Sequence, residues 1–269
     1  MTRQITNGKK VMRHCRFNEK KMNVINFSGG RTSAYMTKRL IDEGLTDYIV
    51  TFQNTGKEMP QTLDFINECD KRWGLNIVWL EYRYGNNFEV VSYETASRDG
   101  RPFTEAIQHN KCFLPNQRMR YCTKMLKIDT LRRYLKSIRV NDYTSLNGIR
   151  YDEPRRWNKI KENDYDVELP LVKWKVIKQD VLNWWQNQDF DLQVNEPYGN
   201  CDCCFLKGKG KLSIIAKEKS ELFNWWIKQE VNGGTFKKEI TYQQILDKSQ
   251  SQLGLWDNDP SFECFCNID

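Results

Sequence analysis

A short apolar segment that runs into two adjacent glycines is the feature that most constrains how this chain can fold. Residues 24–36 read Val-Ile-Asn-Phe-Ser-Gly-Gly-Arg-Thr-Ser-Ala-Tyr-Met, which predicts a buried strand, a tight turn and the beginning of a helix. Glycines allow positive φ and a close approach to an anion, and the first N–H groups of a helix favour negative charge. The segment therefore predicts a phosphate-binding loop. Its expected contacts are Ser28, Gly29, Gly30, Arg31, Thr32 and Ser33, with Arg31 as a bidentate donor to an oxyanion.

The alternation of strand and helix continues downstream. Apolar runs predict strands at 24–27, 48–53, 76–81 and 143–147, and helical spacing predicts helices at 33–43, 61–73 and 123–135. Such alternation is typical of an α/β fold with a doubly wound parallel sheet, which binds its ligand beyond the carboxyl ends of the strands. In the third helix, the residues expected to form a buried stripe are Met125, Ile128, Leu131 and Leu135.

Two further motifs fall at the same predicted edge of the sheet. Asn54-Thr55-Gly56 follows the second strand, and Gly148-Ile149-Arg150 follows the fourth. Residues 82–120 interrupt the alternation, and we interpret them as an insertion over this edge. The basic residues expected to give the pocket a positive rim are Arg98, Arg118, Arg120, Lys124 and Lys127, although each could equally lie on a solvated face.

Composition limits the class of protein. The chain has 269 residues with a net charge of +7, and no run approaches the roughly 18 apolar residues of a membrane span. No apolar signal segment opens it, so we expect a cytoplasmic protein that does not contact membranes. Residues 1–21 hold seven lysines and arginines against one acid, Glu19, and this basic arm would be either a nucleic-acid tether or a solvated leader.

Nine cysteines carry a second chemical signal. Cys201, Cys203 and Cys204 lie within four residues, and Cys264 and Cys266 form a second close group. In a reducing compartment such clusters indicate metal sites or redox thiols before disulfides. Spacing alone does not separate zinc from an iron–sulfur cluster, nor either of these from reduced cysteines in a small core.

The order of these motifs resembles the PP-loop superfamily, also called adenine nucleotide alpha-hydrolases, and within it the phosphoadenosine phosphosulfate (PAPS) reductase family. Residues 28–33 resemble its SGGxxS pyrophosphate loop, and Asn54-Thr55-Gly56 with Pro60-Gln61-Thr62 resembles its second motif. The later segments resemble a phage-associated and bacterial subgroup: Arg120-Tyr121-Cys122-Thr123, Gly148-Ile149-Arg150, and residues 199–208. The resemblance runs from about residue 22 to the C-terminus.

The resemblance implies a Rossmann-like core that binds ATP or PAPS, usually with Mg²⁺. It implies nucleotide contacts at Ser28, Gly29, Gly30, Arg31, Thr32, Ser33, Asn54, Thr55, Gly56, Arg120, Gly148 and Arg150. Some relatives hold a [4Fe–4S] cluster, for which the expected ligands are Cys122, Cys201, Cys204 and Cys266, with Cys264 as a substitute and Zn²⁺ as the alternative metal.

The reaction class follows less directly. Sulfonucleotide reductases use a cysteine in a C-terminal Glu-Cys-Gly-Leu-His tail, whereas here Glu263-Cys264 continues as Phe265-Cys266-Asn267. We therefore expect ATP cleavage between the α and β phosphates, for adenylyl-transfer or sulfur-linked chemistry. The expected catalytic residues are Cys264, Arg150 and Lys127. Three alternatives stay open: a thiol-dependent PAPS reductase with Cys264 as nucleophile, a nucleic-acid sulfur-modifying enzyme of the phosphorothioation type, and a non-catalytic nucleotide-binding module.

The chain is expected to comprise three parts. These are a basic arm (1–21), a PP-loop core (22–165, with the insertion at 82–120) and a small helical cysteine-containing cap (166–269). The expected partners are an adenine nucleotide, nucleic acid through residues 1–21, a thiol donor protein and a second copy of the chain. Tryptophan pairs at 184–185 and 225–226 are expected to pack in the core.

Overall fold

The computed structural model describes residues 21–85, 87–161, 166–195, 197–199, 201–231 and 234–251. Six strands form one sheet: β1 (Met22–Asn26), β2 (Tyr48–Asn54), β3 (Val78–Arg83), β4 (Asn87–Val91), β5 (Tyr143–Asn147) and β6 (Val167–Glu168). Their order is β4-β3-β2-β1-β5-β6, and every neighbouring pair is parallel except β3 and β4. The α/β fold with a mainly parallel sheet is therefore confirmed.

Ten α-helices accompany the sheet in the described ranges. They are α1 (Arg31–Asp42), α2 (Pro60–Trp73), α3 (Arg101–His109), α4 (Thr130–Ser137), α5 (Pro154–Lys161), α6 (Pro170–Lys173), α7 (Lys178–Trp185), α8 (Lys209–Glu218), α9 (Phe223–Gln229) and α10 (Tyr242–Gln250). A π-helical segment (Thr123–Asp129) precedes α4, and a short 3₁₀ turn (Ser220–Leu222) precedes α9. None of the helices described is long and apolar enough to cross a membrane.

Strand periodicity sorts the buried residues onto two faces of the sheet. Ile25 packs in a core with α1 and α2, whereas its neighbour Val24 packs on the other face with Leu131 and Leu135 of α4. Successive strand residues point to opposite faces, so each buried strand needs apolar residues throughout. This arrangement leaves the carboxyl ends of β1, β2 and β5 together at one edge.

The segment after β3 departs from the parallel pattern that the sequence predicts. It folds back as the antiparallel edge strand β4, and helix α3 follows within the same stretch of 82–120. Strand β4 is mostly exposed, with the pattern of a half-solvated edge. Its Asn-Phe-Glu-Val-Val sequence has exposed residues on both sides of Phe88, so it lacks the burial pattern of the parallel strands.

The stripe predicted for the third helix is wrong at Ile128, which is 45% exposed. Met125, Leu131 and Leu135 are buried as predicted, and Leu126 takes the place expected for Ile128. The cause is the π-helical segment, because its wider turn shifts the phase of the residues that follow. The hydroxyl of Thr130 bonds the carbonyl of Met125 across this turn at 2.8 Å.

A second apolar core joins the C-terminal helices to the insertion. Trp226, Phe236 and Tyr242 pack there with Phe103 of α3 and Leu126. Trp185 of α7 instead packs against Phe65 of α2 in the core of the sheet. The first core therefore extends into residues that the sequence assigned to the cap, and both tryptophan pairs contribute buried rings, as expected.

Candidate active site

The loop between β1 and α1, residues 28–33, is named here the phosphate loop. The Ser33 hydroxyl receives the Ser28 N–H (3.1 Å) and donates to the Gly30 carbonyl (3.0 Å). The Ser28 hydroxyl donates to the Ser33 hydroxyl at 3.0 Å. The Ser33 hydroxyl therefore joins the two ends of the loop by hydrogen bonds. Gly30, the residue that caps α1, has no side-chain cap, so the first helical N–H groups face the edge of the sheet.

The two glycines of this loop have different roles. Gly29 has φ of +81°, and an added Cβ would lie 2.7 Å from Thr62 and 2.9 Å from Ile66 of α2. Gly30 has φ of −101° and ψ of 161°, an extended conformation that any residue adopts. Only Gly29 therefore uses the positive φ that glycine allows. It provides the turn and the close packing, whereas Gly30 lies at the helix N-terminus.

Arg31 has a protein partner in this structure. Its guanidinium donates to both carboxylate oxygens of Asp191 at 2.7 and 2.8 Å and to the Leu192 carbonyl at 2.7 Å. The bidentate fork that was expected to hold an oxyanion is therefore occupied by Asp191. We interpret Arg31 as a residue that positions the start of α1 against the segment after α7.

Gly148 and Arg150 form a wall beside the phosphate loop. A Cβ at Gly148 would lie 3.0 Å from the Cα of Ser33, so β5 ends in close contact with the start of α1. Arg150 is 5% exposed, and its guanidinium donates to Asp152 (3.0 Å) and to the Thr32 hydroxyl (3.3 Å). A buried arginine is thus held against the positive end of α1, which is an arrangement that favours an anion between them.

Of the two arginines that follow Glu153, only Arg156 forms an ion pair with the Glu153 carboxylate in the described part of the chain. Its carboxylate accepts from the guanidinium of Arg156 at 2.5 Å and from the backbone N–H of Arg150 at 3.0 Å. Arg155 remains exposed. Glu153 therefore braces the loop that carries Arg150.

In the segment after β2, the three expected nucleotide contacts are all buried. Asn54 donates to Glu81 (2.6 Å) and to the carbonyl of Ser97 (2.9 Å), so its side chain braces the insertion. Gly56 has φ of +77°, and a Cβ there would lie 3.0 Å from backbone atoms of Gly100. Asn54 and Gly56 thus join this segment to the insertion, and Thr55 is left as the residue of the motif that faces the cysteine-bearing segment.

Glu58 is a fully buried carboxyl group beside Thr55. It accepts the N–H of Thr55 at 3.0 Å and its hydroxyl at 2.8 Å. Burial raises the pKa of Glu58, against the lowering effect of Lys127 and of the two hydrogen bonds from Thr55. The positive charge of Lys127 therefore acts on Glu58.

Residues 201–208 are named here the cysteine loop. They approach the segment after β2 through an antiparallel bridge between Cys201 and Glu58, and the Cys201 sulfur lies 3.8 Å from the Thr55 hydroxyl. Asp202 forms a buried ion pair with Lys57 at 2.8 Å and accepts the indole N–H of Trp226, also at 2.8 Å. The cysteine loop is therefore fastened on both sides, to the sheet edge and to the cap.

The cysteines proposed as metal ligands are only partly described. Cys122 and Cys201 are half-buried, and Cys204 is buried. Within the described ranges, no three cysteine, histidine or acidic residues lie close enough to hold a metal ion. Cys264 and Cys266 lie outside the described residues. The three described cysteines do not by themselves form a metal site, and the four-cysteine ligand set stays a prediction.

Sequence reasoning missed the buried charges around these motifs. Lys57, Glu58 and Asp202 are at most 7% exposed, and Lys207 is 2% exposed. Their positions could have indicated burial, because each of these charged residues lies within or directly after one of the motifs at the sheet edge. Burial raises the pKa of Cys203 well above its usual value, and the cations Lys57 and Lys207 oppose this. A buried thiol there is protonated rather than nucleophilic.

Comparison with known proteins agrees with this architecture. The phosphoadenosine phosphosulfate reductase domain matches residues 22–195. An uncharacterised nin region protein of Escherichia phage lambda, ORF290, is 32% identical over 213 residues, covering 75% of this chain and 71% of that protein. Two uncharacterised proteins of Methanocaldococcus jannaschii, MJ0973 and MJ0066, are 27% and 23% identical over 214 and 248 residues. The matches cover 75% and 88% of this chain, but 46% of each of those proteins.

Proposed function

The chain belongs to the phosphoadenosine phosphosulfate reductase family, and from that premise we propose that it binds an adenine nucleotide, ATP or PAPS, and transfers the adenylyl group of ATP to an acceptor. The observation that carries the proposal is the phosphate loop itself. Its helix N-terminus has no side-chain cap, and the buried Arg150 lies 3.3 Å from Thr32 at that N-terminus. Positive potential at this edge of the sheet suits a pyrophosphate group.

In the proposed reaction, MgATP is the substrate and a nucleophilic oxygen of the acceptor attacks the α-phosphorus. The new bond joins that oxygen to the α-phosphorus, and the bond to the oxygen bridging the α and β phosphates breaks. The electron pair leaves with pyrophosphate, and the acceptor proton passes to solvent. The α1 N–H groups and Arg150 would stabilise the charge that develops on the leaving group.

Site roles follow from this assignment. Ser28, Gly30, Thr32 and Ser33 would surround the phosphates, whereas Gly29, Asn54, Gly56 and Gly148 would position the surrounding backbone. We assign Arg150 to direct phosphate contact and Lys127, whose positive charge acts on Glu58, to a supporting electrostatic role. Arg120, which is exposed, would reach a bound nucleotide only from the rim.

The test compares two valine variants. Gly30→Val places its Cβ beside the helix N-terminus without backbone strain, because Gly30 is extended. We expect it to fold and to lose ATP binding by about tenfold or more in calorimetry. Gly29→Val is the matched control, which should lose binding through misfolding, seen as lost thermal stability. Wild-type affinity in folded Gly30→Val would overturn the proposal.

The reaction is read from ATP labelled at the α-phosphorus. AMP or an adenylylated acceptor with pyrophosphate is the expected outcome, and ADP with phosphate would contradict it. Sulfite release from PAPS with a thiol donor, lost in Cys264→Ser, would instead identify a thiol-dependent reductase. ATP binding without any turnover in the presence of candidate acceptors would leave a nucleotide-binding module. Anaerobic purification with iron and zinc analysis tests the predicted cluster independently.

A further inference from the structure

Positive charge outside residues 1–21 is concentrated in one segment. Residues 106–141 contain nine lysines and arginines and a single acid, Asp129. The segment therefore carries +8, although the whole chain carries only +7. Since residues 1–21 are also basic, the remainder of the protein is net acidic. Such an uneven distribution points to a polyanionic partner at this place.

Seven of these nine basic side chains are exposed. They are Lys111, Arg118, Arg120, Lys124, Arg132, Lys136 and Arg139, and we name them the basic face. Within the part of the chain that the structure describes, five of them make no ion pair: Lys111, Arg118, Lys124, Lys136 and Arg139. Most surface cations on α1 and α2 do have acidic partners one turn away, as in Arg39–Glu43 and Arg72–Glu68. The basic face differs because acids are missing from its sequence.

Helical geometry aligns part of this face. Lys124, Ile128, Arg132 and Lys136 recur every four residues along the π-helical segment and α4, and all four are exposed. The opposite side of α4 is buried against the sheet through Leu131 and Leu135. From Lys124 to Lys136 the helix extends about 18 Å. That length exceeds one nucleotide and matches several successive phosphates of a polymer.

The loop before the helix extends the same face. Within residues 110–121, Tyr121 donates to the carbonyl of Phe113 at 2.5 Å. Asn110 connects these residues to the π-helical segment by donating to the sulfur of Met125 at 2.9 Å. Phe113 is 50% exposed and Met119 is 51% exposed. An exposed aromatic ring among cations, such as Phe113, is a surface on which an unpaired base stacks.

From these observations we propose that the basic face binds a single-stranded nucleic acid. A membrane surface fits less well, because the apolar side of α4 is already buried in the core and cannot enter lipid. Lys127 lies between Lys124 and Ile128 of this face in the sequence, and its positive charge acts on Glu58 of the candidate active site, so a bound strand would lie near that site. The proposal rests on charge and exposure and does not require nucleotide cleavage.

The experiment measures binding of a fluorescent 20-nucleotide single-stranded DNA or RNA by anisotropy, without ATP, from 50 to 200 mM NaCl. The test variant is R118Q/K124Q/K136Q in the full chain. The control variant, K71Q/K217Q/K238Q, removes the same charge from three exposed lysines elsewhere that make no ion pair with a described residue. Both variants keep residues 1–21, so any contribution of the basic arm cancels in the comparison.

We expect the test variant to bind at least about tenfold more weakly than wild type, and its plot of log K against log salt to be shallower by about two. The control variant should stay within about twofold of wild type. Equal losses in both variants, or tighter binding to anionic phospholipid vesicles than to either strand, would overturn the proposal. Preference between DNA and RNA identifies the source of the strand. Pyrophosphate release is measured separately, so failure of the proposed function would leave this result intact.

Discussion

In the phosphate loop, the closing hydrogen bonds all join residues no more than five positions apart, from Ser28 to Ser33. In the cysteine loop, the fastening contacts come from far along the chain. Lys57 pairs with Asp202, and Tyr242 donates to the carbonyl of Cys203 at 2.5 Å. Lys237 donates to the carbonyls of residues 205 and 207. One loop is thus determined locally and the other by the surrounding structure, and they should fail differently when altered.

The largest expected effect comes from breaking the buried ion pair of the cysteine loop. Asp202→Asn leaves the buried side chain of Lys57 without its counter-ion, and should cost about 3–5 kcal/mol in the free energy of unfolding. Urea denaturation measures it. The double variant Lys57→Met/Asp202→Asn should recover part of the loss, because no buried charge then remains unpaired. A cost below about 1 kcal/mol for the single variant would mean that the pair is solvated and does not fasten the loop.

The phosphate loop should be damaged most by Gly29→Ala. A side chain there meets both an unfavourable φ and the side chains of Thr62 and Ile66, so we expect about 2–4 kcal/mol of destabilisation. Gly44→Ala is the matched control, because Gly44 has a similar φ of +88° but no atom within 4 Å of the added Cβ. It should cost about 1 kcal/mol. Equal costs for the two variants would show that the contact with α2 does not destabilise Gly29→Ala.

Arg31→Lys tests the ion pair between the phosphate loop and Asp191. Lysine cannot reproduce the bidentate bond to Asp191, and we expect a loss of about 0.5–1 kcal/mol in thermal or urea unfolding. The KM for ATP should stay unchanged, because the fork faces Asp191 and not the loop. If KM rises tenfold while stability is unaltered, Arg31 binds phosphate directly, as its sequence position first predicts.

For Glu58 the informative readout is the change of stability with pH. Its pKa is raised in the folded protein, so the folded state holds the proton more tightly than the unfolded state does. Stability from this group is therefore greatest below pH 4.5 and decreases as pH rises above that value. Glu58→Gln has no such dependence, so its stability relative to wild type should improve between pH 4.5 and pH 8 in urea titrations. A constant difference in stability between the two proteins across this range would show that burial does not raise the pKa of Glu58.

The same contrast explains which parts of the fold were predictable. The strand-turn-helix around residues 28–33, β5 at Tyr143–Asn147 and the bounds of α2 to within one residue all follow from local pattern. Strand β4 and the π-helical segment do not. The edge strand is stabilised by pairing with β3, and the phase of the π-helix is set by packing against α3 and the sheet. Neither leaves a periodic signal of its own.

In the candidate site, the local sequence is enough to locate the motifs at one edge of the sheet. Parallel strands end at one edge, so motifs that follow β1, β2 and β5 must meet there whatever their side chains do. Tertiary structure decided what each side chain does at that edge. It directed Arg31 to Asp191, Asn54 to Glu81, and Lys57 to Asp202. These partners lie between 27 and 160 residues away along the chain, and only folding brings them together. A buried polar or charged group needs its partner, because it has lost its hydrogen bonds to water.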